Sequence, residues 1–137
     1  MEIFKIGQDL ESRLGIKQGL SKMTLDPQEK FLFEDANEVI EHYQRIIERD
    51  PHNPMAYYAI GALLINKSEP DYKGAIKYFE KAVYYYPTYR QAHFNLGKAY
   101  LHEKMIPQAR SQVEVLKKIG SKEYAKMLEE EIKKVTS

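Results

Sequence analysis

The side chains best suited to hold a metal or to move a proton near neutral pH are the four histidines, His42, His52, His93 and His102. No two of them stand four residues apart, the spacing that aims two imidazoles at one ion from a single helix, so no metal site is expected. Carboxylates are abundant, but the run Glu129, Glu130 and Glu131 points in three directions on a helix and cannot converge on a substrate. It reads as a solvated face. Gly15 and Gly19 lie four apart in a lysine-containing stretch, yet neither G-x-G-x-x-G nor a P-loop lysine follows, so no phosphate-bearing cofactor is expected. The chain has no cysteine, which removes disulfides, thiolate zinc sites, redox motifs and a cysteine nucleophile together. The residues therefore predict no catalytic group, no cofactor and no enzyme activity.

Eleven tyrosines include Tyr84, Tyr85 and Tyr86. Tyr85 falls on the packing side of its helix, and Tyr84, Tyr86 and Tyr89 are candidates either for covering a helix end with the hydroxyl in water or for partner contact. Basic residues gather late, at Lys117, Lys118, Lys122, Lys126, Lys133 and Lys134. The acids Glu123 and Glu129–Glu131 interleave with them, and a neutralised patch binds phosphate poorly, so nucleic acid is not expected.

These side chains are carried by 137 residues with 21 Lys and Arg against 20 Asp and Glu, a net charge of +1, which recruits neither nucleic acid nor an anionic membrane. The neutral total hides an acidic stretch at 27–50, with seven acids against three bases, and a basic one at 90–137, with ten bases against six acids. Such a bipolar chain admits end-to-end self-association; solvated helix faces of differing charge are the plainer explanation. No apolar run approaches the roughly 18 residues that span a bilayer, and charges interrupt MEIFKIGQDLESRLG every few positions. Neither a signal peptide nor an anchor is expected, and a cytoplasmic address fits.

A repeat organises the chain. Tyr57, Ile60, Gly61, Leu64, Ala75, Phe79, Ala82 and Pro87 return as His93, Leu96, Gly97, Tyr100, Ala109, Val113, Leu116 and Ser121. Val39, Tyr43, Ile46 and Pro51 form an upstream half-copy. Apolar residues three and four apart predict helices near 54–66, 72–85, 90–103, 107–119 and 122–135, and no stretch alternates like a strand. Pro107 suits a first helical position, Gly120 a helix end and Ser121 the next cap. Asp26-Pro27 opens a further helix that either runs to about residue 49 or is recapped at Asp35.

These positions resemble the tetratricopeptide repeat, a helix–turn–helix unit with the pattern W-x₂-L-G-x₂-Y…A-x₃-F…P. Ile60-Gly61 and Leu96-Gly97 stand for Leu-Gly, while Tyr57 and His93 replace the tryptophan. The resemblance implies an all-α solenoid, an α-α superhelix, with glycine in the first helix letting the second approach closely. The domain divides into an N-terminal amphipathic arm (1–26), a partial repeat (27–53), repeats at 54–89 and 90–121, and a capping helix (122–137). In that helix Tyr124, Leu128, Ile132 and Val135 share one face, since a solenoid cannot leave its last unit bare.

The family's first helices line a concave groove for a partner segment. Carried over, its positions are Met55, Tyr58, Ala62, Ile65, Asn66, Gln91, Phe94, Asn95, Lys98, Leu101 and His102. Tyr58 and Ala62 stand where the carboxylate-clamping version has lysine and asparagine, so that mode is not expected. Tyr58, Phe94 and Leu101 are taken as large residues that helix packing does not require, which suggests an apolar or amphipathic protein segment as ligand. Ile3, Ile6, Leu10 and Leu14 make residues 2–14 a short helix, ended by Gly15, that is either a degenerate repeat helix or an occupant of the groove, its own or a neighbour's. The implied role is an adaptor, scaffold or chaperone-like binder; the alternative is a self-assembling module.

Overall fold

The computed structural model describes residues 36–137. The expected helix at 2–14, its end at Gly15 and the helix opening at Asp26-Pro27 lie outside the described residues. Within them the chain forms α1 (Ala36–Arg49), α2 (Pro54–Ile65), α3 (Tyr72–Tyr85), α4 (Arg90–His102), α5 (Ile106–Lys118) and α6 (Lys122–Thr136). Each packs on its sequence neighbour, and α6 also reaches back to α4. No strand occurs among the described residues, so the all-α solenoid expected from the repeat is the observed fold.

Local chemistry explains the boundaries. Asn53 caps α2, its side-chain oxygen accepting from the N–H of Met55 at 3.0 Å and of Ala56 at 3.2 Å, with Pro54 at the first position where no donor is needed. Asp71 caps α3 through the N–H of Gly74 at 2.9 Å. Ser121 precedes α6 as expected, but its side chain makes no capping bond. Pro107 is inside α5, which begins one residue earlier at Ile106.

Gly120 ends α5 with φ +83°. Its N–H donates to Lys117 O and that of Ser121 to Leu116 O, a pair of bonds that closes a helix through one left-handed residue. The same pair follows α4, where Lys104 and Met105 donate to Leu101 O and Tyr100 O. There the left-handed residue is Lys104, at φ 62°, a conformation disfavoured for a side chain.

Helix α2 carries no charged residue and buries eight consecutive positions, Ala56 to Leu63, so it is apolar all round and lies at the centre. At Gly61 a Cβ would stand 2.7 Å from the Phe79 ring, the close α2–α3 approach expected of this glycine. At Gly97 the neighbours are Gln112 Cβ of α5 at 3.2 Å and, closer still, a methyl of Leu128 from α6. That glycine thus receives the capping helix as well as its own partner. In α6 the same place after the capping position is Glu129, while Leu128 and Ile132 keep the apolar places beside it.

The tryptophan-like position ties each unit to the turn before it. Tyr57 Oη donates to Pro51 O at 2.7 Å, and 36 residues on, His93 Nε2 lies 2.7 Å from Pro87 O. A carbonyl only accepts, so Nε2 is the donor to Pro87, and Nδ1 lies 2.7 Å from Gln112 Oε1 on the other side of the ring. Different side chains make the same bond because both combine a bulky ring with a donor.

Two tyrosines tie neighbouring helices. Tyr100 Oη donates to Glu80 Oε2 at 2.6 Å, and the Tyr58 hydroxyl accepts from Asn95 Nδ2 at 2.9 Å. Burial pushes both phenols above the ordinary 10.0. Charge on Tyr89 and Tyr124 adds to the rise at Tyr58, against the Asn95 bond, and Glu80 adds to it at Tyr100. The unfolded chain releases these protons near pH 10 while the folded chain holds them, so their contribution to stability is full below pH 10 and falls as the pH rises beyond it. An ultraviolet alkaline titration is expected to show at least two of the eleven tyrosines ionising only as helical circular dichroism is lost. Smooth ionisation of all eleven with the helices intact would contradict this burial.

Candidate functional site

A direct Tyr58–Asn95 bond joins α2 to α4, the two helices that, with Asn66 at the end of α2, carry the eleven expected groove positions. Five of them are buried: Tyr58, Ala62, Phe94, Asn95 and Leu101. The expectation that Tyr58, Phe94 and Leu101 stand free of packing is therefore corrected. The Tyr58 ring meets Phe79 at 5.6 Å and Tyr89 at 5.0 Å, in the seam between units. Phe94 stacks on Tyr124 of α6 at 4.9 Å and 25°. Cutting either ring back would damage the fold as well as any contact.

The other six positions border two openings. Met55 and Gln91 line the larger, of about 640 Å³, with Tyr86, Tyr89, Arg90 and Ile119 among its walls. Ile65, Asn66, Lys98 and His102 line a smaller one of about 140 Å³ with Tyr72. Asn66 is committed locally, its side chain donating to Ala62 O at 2.8 Å. His102 lies flat on Tyr72, 4.1 Å and 7° apart.

Lys98 holds its ammonium 5.2 Å above the Phe94 ring, a favourable cation–π placement. Burial lowers its pKa and Glu131 opposes that shift. Among the tyrosines singled out by sequence, Tyr84 is 75% exposed and Tyr86 47%, whereas Tyr89 is 5% exposed. Tyr85 is half-buried, stacked between His52 at 4.8 Å and Tyr57 at 5.7 Å.

The positions that the repeat pattern missed are Arg90, Ile119 and Pro54, all on the larger opening. They sit in turns and first helical residues, where the pattern is silent. The one available signal is their closeness in sequence to Met55 and Gln91, and for Ile119 to the turn at Gly120. No cluster of metal-ligating side chains occurs among the described residues, and none of the described helices is long and apolar enough to cross a membrane.

The architecture is that of a helical-repeat protein whose larger opening lies at the N-terminal ends of α2 and α4, walled by the 86–89 turn and Ile119. Residues 67–132 match the family model of the tetratricopeptide repeat, a match that supports a tetratricopeptide repeat protein. Proteins of this family generally mediate protein–protein interaction and are generally non-catalytic. No curated protein matches the chain.

Proposed function

We propose that the chain is an adaptor or scaffold that holds an apolar or amphipathic segment of another protein at the larger opening. The observation that supports this most is the composition of that opening. Met55, Ile119 and Tyr86 offer apolar and aromatic surface, and Arg90 and Gln91 supply polar groups at its edge, the mixture typical of a site that binds a peptide with defined orientation. Its volume of about 640 Å³ lies within the roughly 300–1,000 Å³ of ligand pockets. Met55 and Gln91 are groove positions left accessible there, beside the buried Tyr89.

The test is affinity selection of displayed peptides on the intact chain, followed by binding measurements on the Met55→Glu and Tyr86→Ala variants. Sequences with spaced apolar side chains are expected to be enriched. Each variant is expected to weaken their binding about tenfold or more with the melting temperature unchanged, as hot-spot residues do. Equal binding by wild type and both variants would remove the opening from the reading. A sedimentation series in which mass rises with concentration, and Met55→Glu abolishes the rise, would identify the bound segment as belonging to another copy.

A further inference from the structure

The basic residues that interleave with acids along the C-terminal sequence are sorted by the fold. On α6, Lys122, Lys126 and Lys133 fall on one stripe with Glu129, facing Arg110, Glu114 and Lys117 of α5 across a furrow. Two openings that share Glu129, of about 340 Å³ and 160 Å³, make up this furrow. Glu123 and Glu130 are exposed on the flank of α6 next to that stripe, three and four residues from Lys126, and Glu131 pairs with Lys134 at 3.3 Å. The two acids inside the furrow are both engaged by Lys117, Glu114 at 3.6 Å and Glu129 at 3.8 Å. Arg110, Lys122, Lys126 and Lys133 make no ion pair among the described residues.

We infer that this α5–α6 furrow is a second binding surface, separate from the larger opening, and that it takes an acidic, partly apolar segment of a partner protein. Charge complementarity selects the acid: five cations, Arg110, Lys117, Lys122, Lys126 and Lys133, face two carboxylates, both held by Lys117, which leaves the furrow a net +3. The aliphatic stems of Lys122, Lys126 and Lys133 select the apolar component, above a floor closed by the buried Val113, Ala125 and Ile132. From Lys122 to Lys133 the helix advances about 16 Å, the length of roughly five extended residues. A peptide of that length alternating acidic and apolar side chains places acids toward the ammonium groups and apolar groups against the lysine stems. A nucleic-acid strand suits the furrow less well. Its phosphates would run past Glu114 and Glu129, and no aromatic side chain lines the furrow to stack a base.

The experiment measures anisotropy of a short labelled peptide of alternating leucine and glutamate, its lysine and glutamine counterparts, and an oligothymidylate of equal length, with the full chain. The glutamate peptide is expected to bind, and to be released as ionic strength rises toward 1 M, where screening shortens to about 3 Å. Lys122→Glu and Lys126→Glu should each weaken it about fivefold, the scale of an exposed charge pair. Met55→Glu at the other opening should leave it unchanged, and unaltered melting curves would show the variants folded.

Equal binding of the glutamate and glutamine peptides, or none by either, would overturn the inference. So would loss of binding in Met55→Glu with the lysine variants unaffected, which places the peptide in the other opening, or preferential binding of oligothymidylate. Self-association of the chain that Lys126→Glu abolishes would replace the foreign partner by a second copy.

Discussion

Gly61→Leu is expected to unfold the protein at markedly lower temperature, by about 10 °C or more. A Cβ at this position would stand 2.7, 2.8 and 3.0 Å from three atoms of the Phe79 ring, and Phe79 is fully buried, so the ring has no free volume to enter. Overpacking of this kind typically costs about 1–3 kcal/mol, and the bulk of leucine beyond Cβ puts the cost at the upper end. Each kcal/mol shifts the midpoint of a domain this size by about 3–6 °C. The gain in helix propensity on losing glycine, about 1 kcal/mol, offsets only part of it.

A cycle with Gly61→Ala and Phe79→Leu isolates the cause. If the clash is with the ring, alanine should be far better tolerated once leucine replaces Phe79, giving a coupling that independent sites lack. Thermal melts of the four proteins measure it. An unchanged midpoint in Gly61→Leu would mean that α2 and α3 do not cross there.

Leu128→Ala is the second large effect, at about 2–5 kcal/mol in urea denaturation. Leu128 is fully buried, and one of its methyls fills the space that a side chain at Gly97 would need. Loss of that contact loosens α6 from α4, so the stacked pair Phe94 and Tyr124 should become more exposed to quenching or to apolar dye. Gly97→Ala should be costly alone and much less so with Leu128→Ala, although Gln112 Cβ at 3.2 Å still crowds the site. A cost below about 1 kcal/mol for Leu128→Ala would show that the capping helix contributes little to the stability of the second unit.

What the sequence made legible is local. Helix limits agree with the expected ones to within a residue or two because proline, glycine and asparagine act on their immediate neighbours. Repeat spacing found the close approach at Gly61, although the side chain against it is the Phe79 ring rather than an alanine, and it placed His93 at a packing position, where it is buried and hydrogen-bonded. The burial of Tyr58 and Phe94 was not legible, because the pattern describes how one helix meets its own partner. Their covering rings, Tyr89 and Tyr124, come from a turn and from the following unit. Periodicity assigns a face to a residue without saying which later element lies on it. The same limit hid the furrow: read linearly, lysines and glutamates cancel, whereas wound at 3.6 residues per turn Lys122, Lys126 and Lys133 share one stripe with a single acid, Glu129. Lys104 is a third case, since nothing in its side chain announces a left-handed backbone.

The substitution of Glu129 for the glycine of the earlier units fixes where the solenoid can be lengthened. A helix arriving after α6 would find a paired carboxylate at the point where α3 meets a bare backbone on α2, and a row of lysines beside it. Appending a further repeat to this end would therefore demand rewriting α6 itself, with glycine at 129 and apolar residues for Lys122, Lys126 and Lys133. Four residues of α6 would thus have to change together before another unit could stack on this face, and an engineer extending the array would have to start there.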